Sequence, residues 1–108
     1  MATTNTVKQS KPSATTLTDL YTVPALTSAI CSTITVCNQS ATGTSFRISV
    51  APVGAADATS QYLYYDRAIA GNDTFAATLG FALATTDVVR VYNTLATLSF
   101  SLFVQETA

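Results

Sequence analysis

The chain contains no histidine. That absence removes the usual general base, the commonest metal ligand, and the Ser-His-Asp and Cys-His arrangements of nucleophilic catalysis. Charge is scarce too. Five Lys or Arg and six Asp or Glu make up 10% of the 108 residues, where globular chains carry roughly 25%. The basic residues are scattered from Lys8 to Arg90. They form no patch to neutralise phosphates, so no nucleic-acid partner is expected. No apolar run approaches the roughly 18 residues of a membrane span, and residues 1–18 are too polar for the apolar core of a signal peptide. No membrane partner is expected. There is no glycine-rich phosphate loop ahead of a helix, and no cofactor or metal is expected.

Only two cysteines occur, Cys31 and Cys37. In one continuous strand they share a face but lie roughly 20 Å apart, where a disulfide needs Cα atoms within about 7 Å. Two thiols without a second Cys or His pair make no zinc site. They read as small buried or half-buried side chains, with an interchain bridge across a symmetric interface as the alternative. Asp66, Asp73 and Asp87 offer the only notable carboxylates. A pair of them for glycoside hydrolysis or a calcium loop is weighed against the ordinary turn-forming role of Asp at strand ends, and the turn role is preferred. The chain is therefore not expected to be an enzyme. Asn38-Gln39-Ser40 and Asn72-Asp73-Thr74 match the N-glycosylation pattern but read as turns.

What remains is 48% hydrophobic, and it alternates. In Leu95–Val104, Leu98, Phe100, Leu102 and Val104 fall on one side of an extended chain, with Thr97, Ser99 and Ser101 on the other. Phe103 interrupts that polar side. Ser45–Val50 alternates equally cleanly, with Phe46, Ile48 and Val50 inward. It is expected to form a hairpin with the long β-branched run Leu26–Cys37 across the turn Asn38–Thr44. In that run Ile30, Ile34 and Val36 share one face, and Cys31, Thr33, Thr35 and Cys37 the other. Further strands are predicted at Leu17–Val23, Gln61–Ile69, Thr74–Leu83 and Val88–Tyr92. A helix over Asp73–Leu83, with Ala76, Leu79, Gly80 and Leu83 on one face, is the alternative for Thr74–Leu83, but the period and Gly80 favour strand. About seven strands at such spacings predict an antiparallel β-sandwich, Ig-like or jelly-roll-like, or a small barrel. The predicted core is Phe46, Ile48, Val50, Phe75, Leu79, Val89, Val91, Leu98, Phe100 and Leu102. Residues 1–16, polar and aperiodic, read as an extended N-terminal arm ahead of a sandwich domain at 17–108.

So few charges leave a Thr/Ser/Ala-rich surface poorly defended against association, which implies coverage by partners. Candidate partner contacts are Lys8, Lys11 and Pro12 of the arm. Tyr62, Tyr64 and Tyr65 are the others, as an aromatic ledge for a partner or a sugar.

Four stretches carry a resemblance: Leu20-Tyr21-Thr22-Val23-Pro24-Ala25, Ile34 to Ser40, Tyr64-Tyr65-Asp66 through Ala70-Gly71-Asn72-Asp73-Thr74, and Thr86 to Tyr92. Over residues 17–104 the chain resembles small virion structural proteins of tailed bacteriophages, with Leu26 where that pattern has Gly. The resemblance implies a non-enzymatic β-domain built into the particle, on the tail, its fibres or baseplate, or on the capsid as a decoration (cement) protein. Such a protein is assembled in the host bacterial cytoplasm. Its expected partners are copies of itself and other virion structural proteins. Weak contacts repeated over many copies would hold it by avidity, through Thr/Ser/Ala-rich faces and edge strands. A glycan- or host-surface-binding module using the tyrosines is the alternative.

Overall fold

A computed structural model describes residues 2–108. It contains eight strands: β1 (Thr3–Ser10), β2 (Thr18–Thr22), β3 (Ser28–Asn38), β4 (Thr44–Ala51), β5 (Tyr62–Ile69), β6 (Thr74–Leu83), β7 (Val88–Asn93) and β8 (Leu98–Thr107). Two short 3-10 turns, Pro52–Gly54 and Thr59–Gln61, lie between β4 and β5. The strands form two four-stranded antiparallel sheets, in the orders β1-β8-β3-β6 and β2-β7-β4-β5. We call them sheet A and sheet B. Strands β3 and β4 therefore do not make the expected hairpin: the turn between them carries the chain from one sheet to the other. The first strand pairs with the eighth, the second with the seventh, the third with the sixth and the fourth with the fifth. The chain thus behaves as one long hairpin, tipped between β4 and β5, that is rolled up so that its two layers face each other.

The inward faces meet in a core of Ile34, Val36, Phe46, Ile48, Val89, Val91, Leu98, Phe100 and Leu102, all fully buried. Phe46 stands at its centre, with ring centroids 5.3 Å from Phe75 and 6.1 Å from Phe100. The predicted core differs at three positions. Val50 and Phe75 are only partly buried, and Leu79 is exposed.

The expected arm is a strand. Residue 1 lies outside the described residues, but Thr3–Ser10 pair along their whole length with β8. The inward positions Thr6, Lys8 and Ser10 lie opposite Val104, Leu102 and Phe100, so the apolar half of this ladder comes from β8. An edge strand with polar inward residues has no hydrophobic period to reveal it.

Bulges account for the other departures from simple alternation. In β3, Cys31 and Thr33 align with the adjacent pair Val104 and Phe103 of β8, leaving Ser32 as an extra residue. The inward parity flips there. Ala29 and Cys31 are buried before it, Ile34 and Val36 after it, and Ile30 turns outward. Cys31 and Cys37 therefore point to opposite faces rather than one. In β6 the matching irregularity falls at Leu79-Gly80, where Gly80 takes φ 64°. This is the left-handed region open to glycine at no steric penalty, and it carries Leu79 out of the core.

Candidate functional site

The sandwich has two open sides, and a cation lying against an aromatic ring marks each. On one, Lys8 of sheet A places its Nζ 5.8 Å from the ring centre of the buried Tyr21 of sheet B. The Tyr21 hydroxyl donates to the Glu106 carboxylate of β8. Burial first, then that hydrogen bond, push the Tyr21 phenol well above its usual range. On the other side, Arg67 of sheet B sits 4.9 Å from the ring centre of Phe75 of sheet A. These charges face inward at sheet edges, where they deter another chain from adding to the ladder. Lys8 thus closes the sandwich. Lys8 is partly buried and Pro12 buried, and Lys11 is the exposed one of the three expected arm contacts.

The expected tyrosine ledge is split. Tyr64 turns inward, its ring 5.1 Å from Phe75 and 6.3 Å from Phe46. Tyr62 and Tyr65 stay together outside, edge to face at 5.0 Å. Tyr64 and Tyr65 face opposite ways by ordinary alternation. Tyr62 falls out of step with Tyr64 because the adjacent Ile48 and Ser49 of β4 pair with Tyr64 and Tyr62, leaving Leu63 as an extra residue. A second bulge brings Asp66 onto the face of Tyr65. Phe46 and Ile48 of β4 pair with Arg67 and Tyr64, so Tyr65 and Asp66 together fill the place of one residue. Asp66 takes φ 53° to do so. Asp66 is therefore not at a strand end; it lies within the strand and meets Arg47 of β4.

Arg47 is the centre of the outer face of sheet B. Its guanidinium lies 4.1 Å from the Tyr65 ring centre and 4.6 Å from that of Tyr92. Its Nε and Nη2 donate to the two Asp66 carboxylate oxygens at 2.7 and 3.3 Å. The Asp66 hydrogen bonds keep Arg47 protonated beyond its ordinary range. The Tyr62 hydroxyl donates to Asp57 at 2.8 Å, and its phenol is raised by burial and by that bond. Nearby, Arg90 donates to Asp19 and to the carbonyls of Ala55 and Gly54. It ties the 52–61 connection down over sheet B.

The other candidate carboxylates have local duties. Asp87 accepts from the backbone N–H groups of Val53 and Ala84, both at 2.9 Å, and Asp73 accepts from Thr74 N–H. Among the described residues no three Cys, Asp or Glu side chains gather as a metal site would require. Asn38 is buried and donates to the carbonyls of Thr42 and Ala70, lacing together the β3–β4 and β5–β6 turns. The Cys31 thiol, deep between the sheets, is pushed up to about 12 by burial.

The outer face of sheet A is unlike all this. Its outward positions include Thr3, Asn5, Val7 and Gln9 on β1 and Ser99, Ser101, Phe103 and Gln105 on β8. Ile30, Thr33 and Thr35 continue it on β3, and Thr74, Ala76, Thr78 and Ala82 on β6. Among the described residues no Asp, Glu, Lys or Arg points from this face. Its polar side chains bond to one another: Gln9 donates to Ser101 at 3.3 Å, Gln105 donates to Asn5 at 3.2 Å, and Thr33 pairs with Thr78 at 3.2 Å. Among them stand Val7, Ile30 and Phe103, respectively 43%, 52% and 42% exposed. Beside the Ser32 bulge lies a depression of about 330 Å³ whose lining includes Asn5, Ile30, Ser32, Phe103 and Gln105. Composition alone marked the whole surface as bland. It did not show that the charges sit on sheet B, the sandwich sides and the connecting turns, because that division depends on which positions point outward.

No model of a known protein family matches this chain, and no curated protein matches its sequence.

Proposed function

We propose that the chain is a non-enzymatic structural protein of a tailed-bacteriophage particle, a jelly-roll sandwich built into the tail, fibre or baseplate or decorating the capsid. Its location would be the virion, after assembly in the host cytoplasm. The observation that carries this reading is the uncharged outer face of sheet A. A free monomer gains solubility from charge spread over its surface, whereas a face destined for burial in an assembly avoids the desolvation penalty of charge. Pairing each strand with its counterpart from the other end of the chain is the order of a jelly roll, an architecture used by viral capsid and lectin domains. That support is a fold-level analogy. The test is mass spectrometry of purified particles of the phage that encodes the chain. The expected result is many copies per particle, and infectious particles without the chain would overturn the reading.

A second reading has its own observation. Tyr65, held by Arg47 and flanked by Tyr62 and Asp66, forms an exposed aromatic and polar group on sheet B of the kind that binds sugars. Glycan binding lost in Tyr65→Ala, with particles still assembling, would favour that reading.

A further inference from the structure

We propose that the outer face of sheet A packs against the same face of a second copy of this chain, about a two-fold axis. Phe103 of each copy is seated in the depression beside Ile30 of the other. This rests on the assembly reading above and names the partner.

Three features single out a second copy. An isologous contact brings a patch against itself, so a patch of one charge sign repels its twin. Among the described residues this face carries no charged side chain, although the chain as a whole has a net charge of −1. Its polar groups are the hydroxyls and amides of residues such as Asn5, Gln9, Thr33, Thr78, Ser101 and Gln105. Each can both donate and accept, so the same set can satisfy its own copy, which carboxylates alone or ammonium groups alone could not do. The apolar relief is also self-complementary. Phe103 stands opposite Val7 on β1 and, with Ile30, lines a depression of about 330 Å³. That is roughly twice the 150 Å³ that accepts a benzene ring in a protein interior. Placing two such faces together about a two-fold axis lets each projecting ring enter the opposite hollow.

The area is adequate. Four strands about 4.8 Å apart and about ten residues long give a face of about 600 Å². Two such faces bury about 1,200 Å², the lower bound for a specific protein interface.

The test is light scattering and analytical ultracentrifugation of the full chain from low micromolar to about millimolar concentration. Wild type, Phe103→Ser, Ile30→Asp and, as a control on sheet B, Tyr65→Ser are compared, with far-UV circular dichroism to show that each is folded. The expected result is a wild-type dimer, or a larger closed oligomer built from dimers. Phe103→Ser should weaken it by about thirtyfold, the loss typical of a central aromatic anchor, and Tyr65→Ser should leave it unchanged. The chain has no tryptophan, so Phe103→Trp adds a single reporter whose emission should shift to the red as the protein is diluted. A wild-type protein that is monomeric throughout overturns the inference. So does an oligomer indifferent to both Phe103→Ser and Ile30→Asp. Particle analysis separates the two levels: a monomer found in virions has a different partner there, and a chain missing from virions loses the assembly reading itself.

Discussion

The left-handed Asp66 in β5 gives a sharp energetic prediction. Its φ of 53° is a conformation that costs an L-residue about 1–2 kcal/mol, less for Asp than for Ala. Asp66→Gly removes that strain. It also loses the Arg47 ion pair, whose carboxylate side chain is 48% exposed and which is therefore worth about 0.2–1 kcal/mol. Glycine's greater freedom in the unfolded chain takes back about 0.5–1 kcal/mol. Net, Asp66→Gly should leave stability within about 0.5 kcal/mol of wild type. Asp66→Ala keeps the strain and loses the pair, so it should fall about 1 kcal/mol below the glycine variant. Urea unfolding followed by circular dichroism and tyrosine fluorescence measures both, and in a thermal melt the gap is about 4 °C or more. If alanine were as stable as glycine, position 66 would not be left-handed. The strand would then alternate regularly, Tyr65 and Asp66 would face opposite ways, and the Tyr65–Arg47–Asp66 group would not exist.

A Cβ on Gly71 would stand 2.1 Å from the Ala41 carbonyl oxygen and 2.4 Å from its carbon, so Gly71→Ala must force the β3–β4 and β5–β6 turns apart. A loss of about 3 kcal/mol is expected in urea melts, against about 1 kcal/mol for Gly80→Ala, which has open space but a left-handed φ. Arg90→Ala removes the bonds to Asp19, Gly54 and Ala55 and should cost about 1–2 kcal/mol, with proteolysis newly directed to residues 52–61. Stability should fall at alkaline pH. The folded Cys31 thiol holds its proton up to about 12 instead of 9.0, and the Tyr21 phenol shifts in the same direction. Unfolding therefore releases protons, and the stabilisation, complete below about pH 9, is lost as pH rises toward 12. A urea midpoint that stayed level from about pH 8 to about pH 11 would contradict this.

The elements that could be read from the sequence are those whose own residues carry both faces of the strand. Ser45–Val50 and Leu98–Val104 alternate without help from a neighbour, and both are strands with Phe46, Ile48, Phe100 and Leu102 buried. β1 could not be read, because Thr6, Lys8 and Ser10 borrow their apolar partners from β8. Sidedness failed wherever a bulge intervened. One extra residue at Ser32 sends Ile30 outward and Cys31 inward, one at Leu63 separates Tyr62 from Tyr64, and one at Tyr65-Asp66 puts those two neighbours on one face. A bulge is fixed by the register between strands, which distant parts of the chain decide. Gly80 was the one bulge residue with a local signature. The Lys8–Tyr21 and Arg67–Phe75 contacts join opposite sheets, so topology had to come first.

The placement of charge bears on how the protein would associate. The sequence anticipated docking through faces and edge strands alike, but all four edges are blunted. β1 turns Lys8 inward, β5 carries two irregularities and Arg67, β6 is bent at Leu79-Gly80, and β2 has only five residues with a bulge at Leu20. Each is a known device against adding a strand to a sheet. The outer face of sheet A has no comparable protection: among the described residues it has no charged side chain, and three exposed apolar side chains stand in and beside a depression. A protein selected only to stay monomeric would protect that face as well as its edges. Blocked edges with an unguarded face favour flat, saturable packing over ladder extension. An assembly joined in this way closes at a defined size, whereas strand addition leaves a fresh edge after every step and grows without limit.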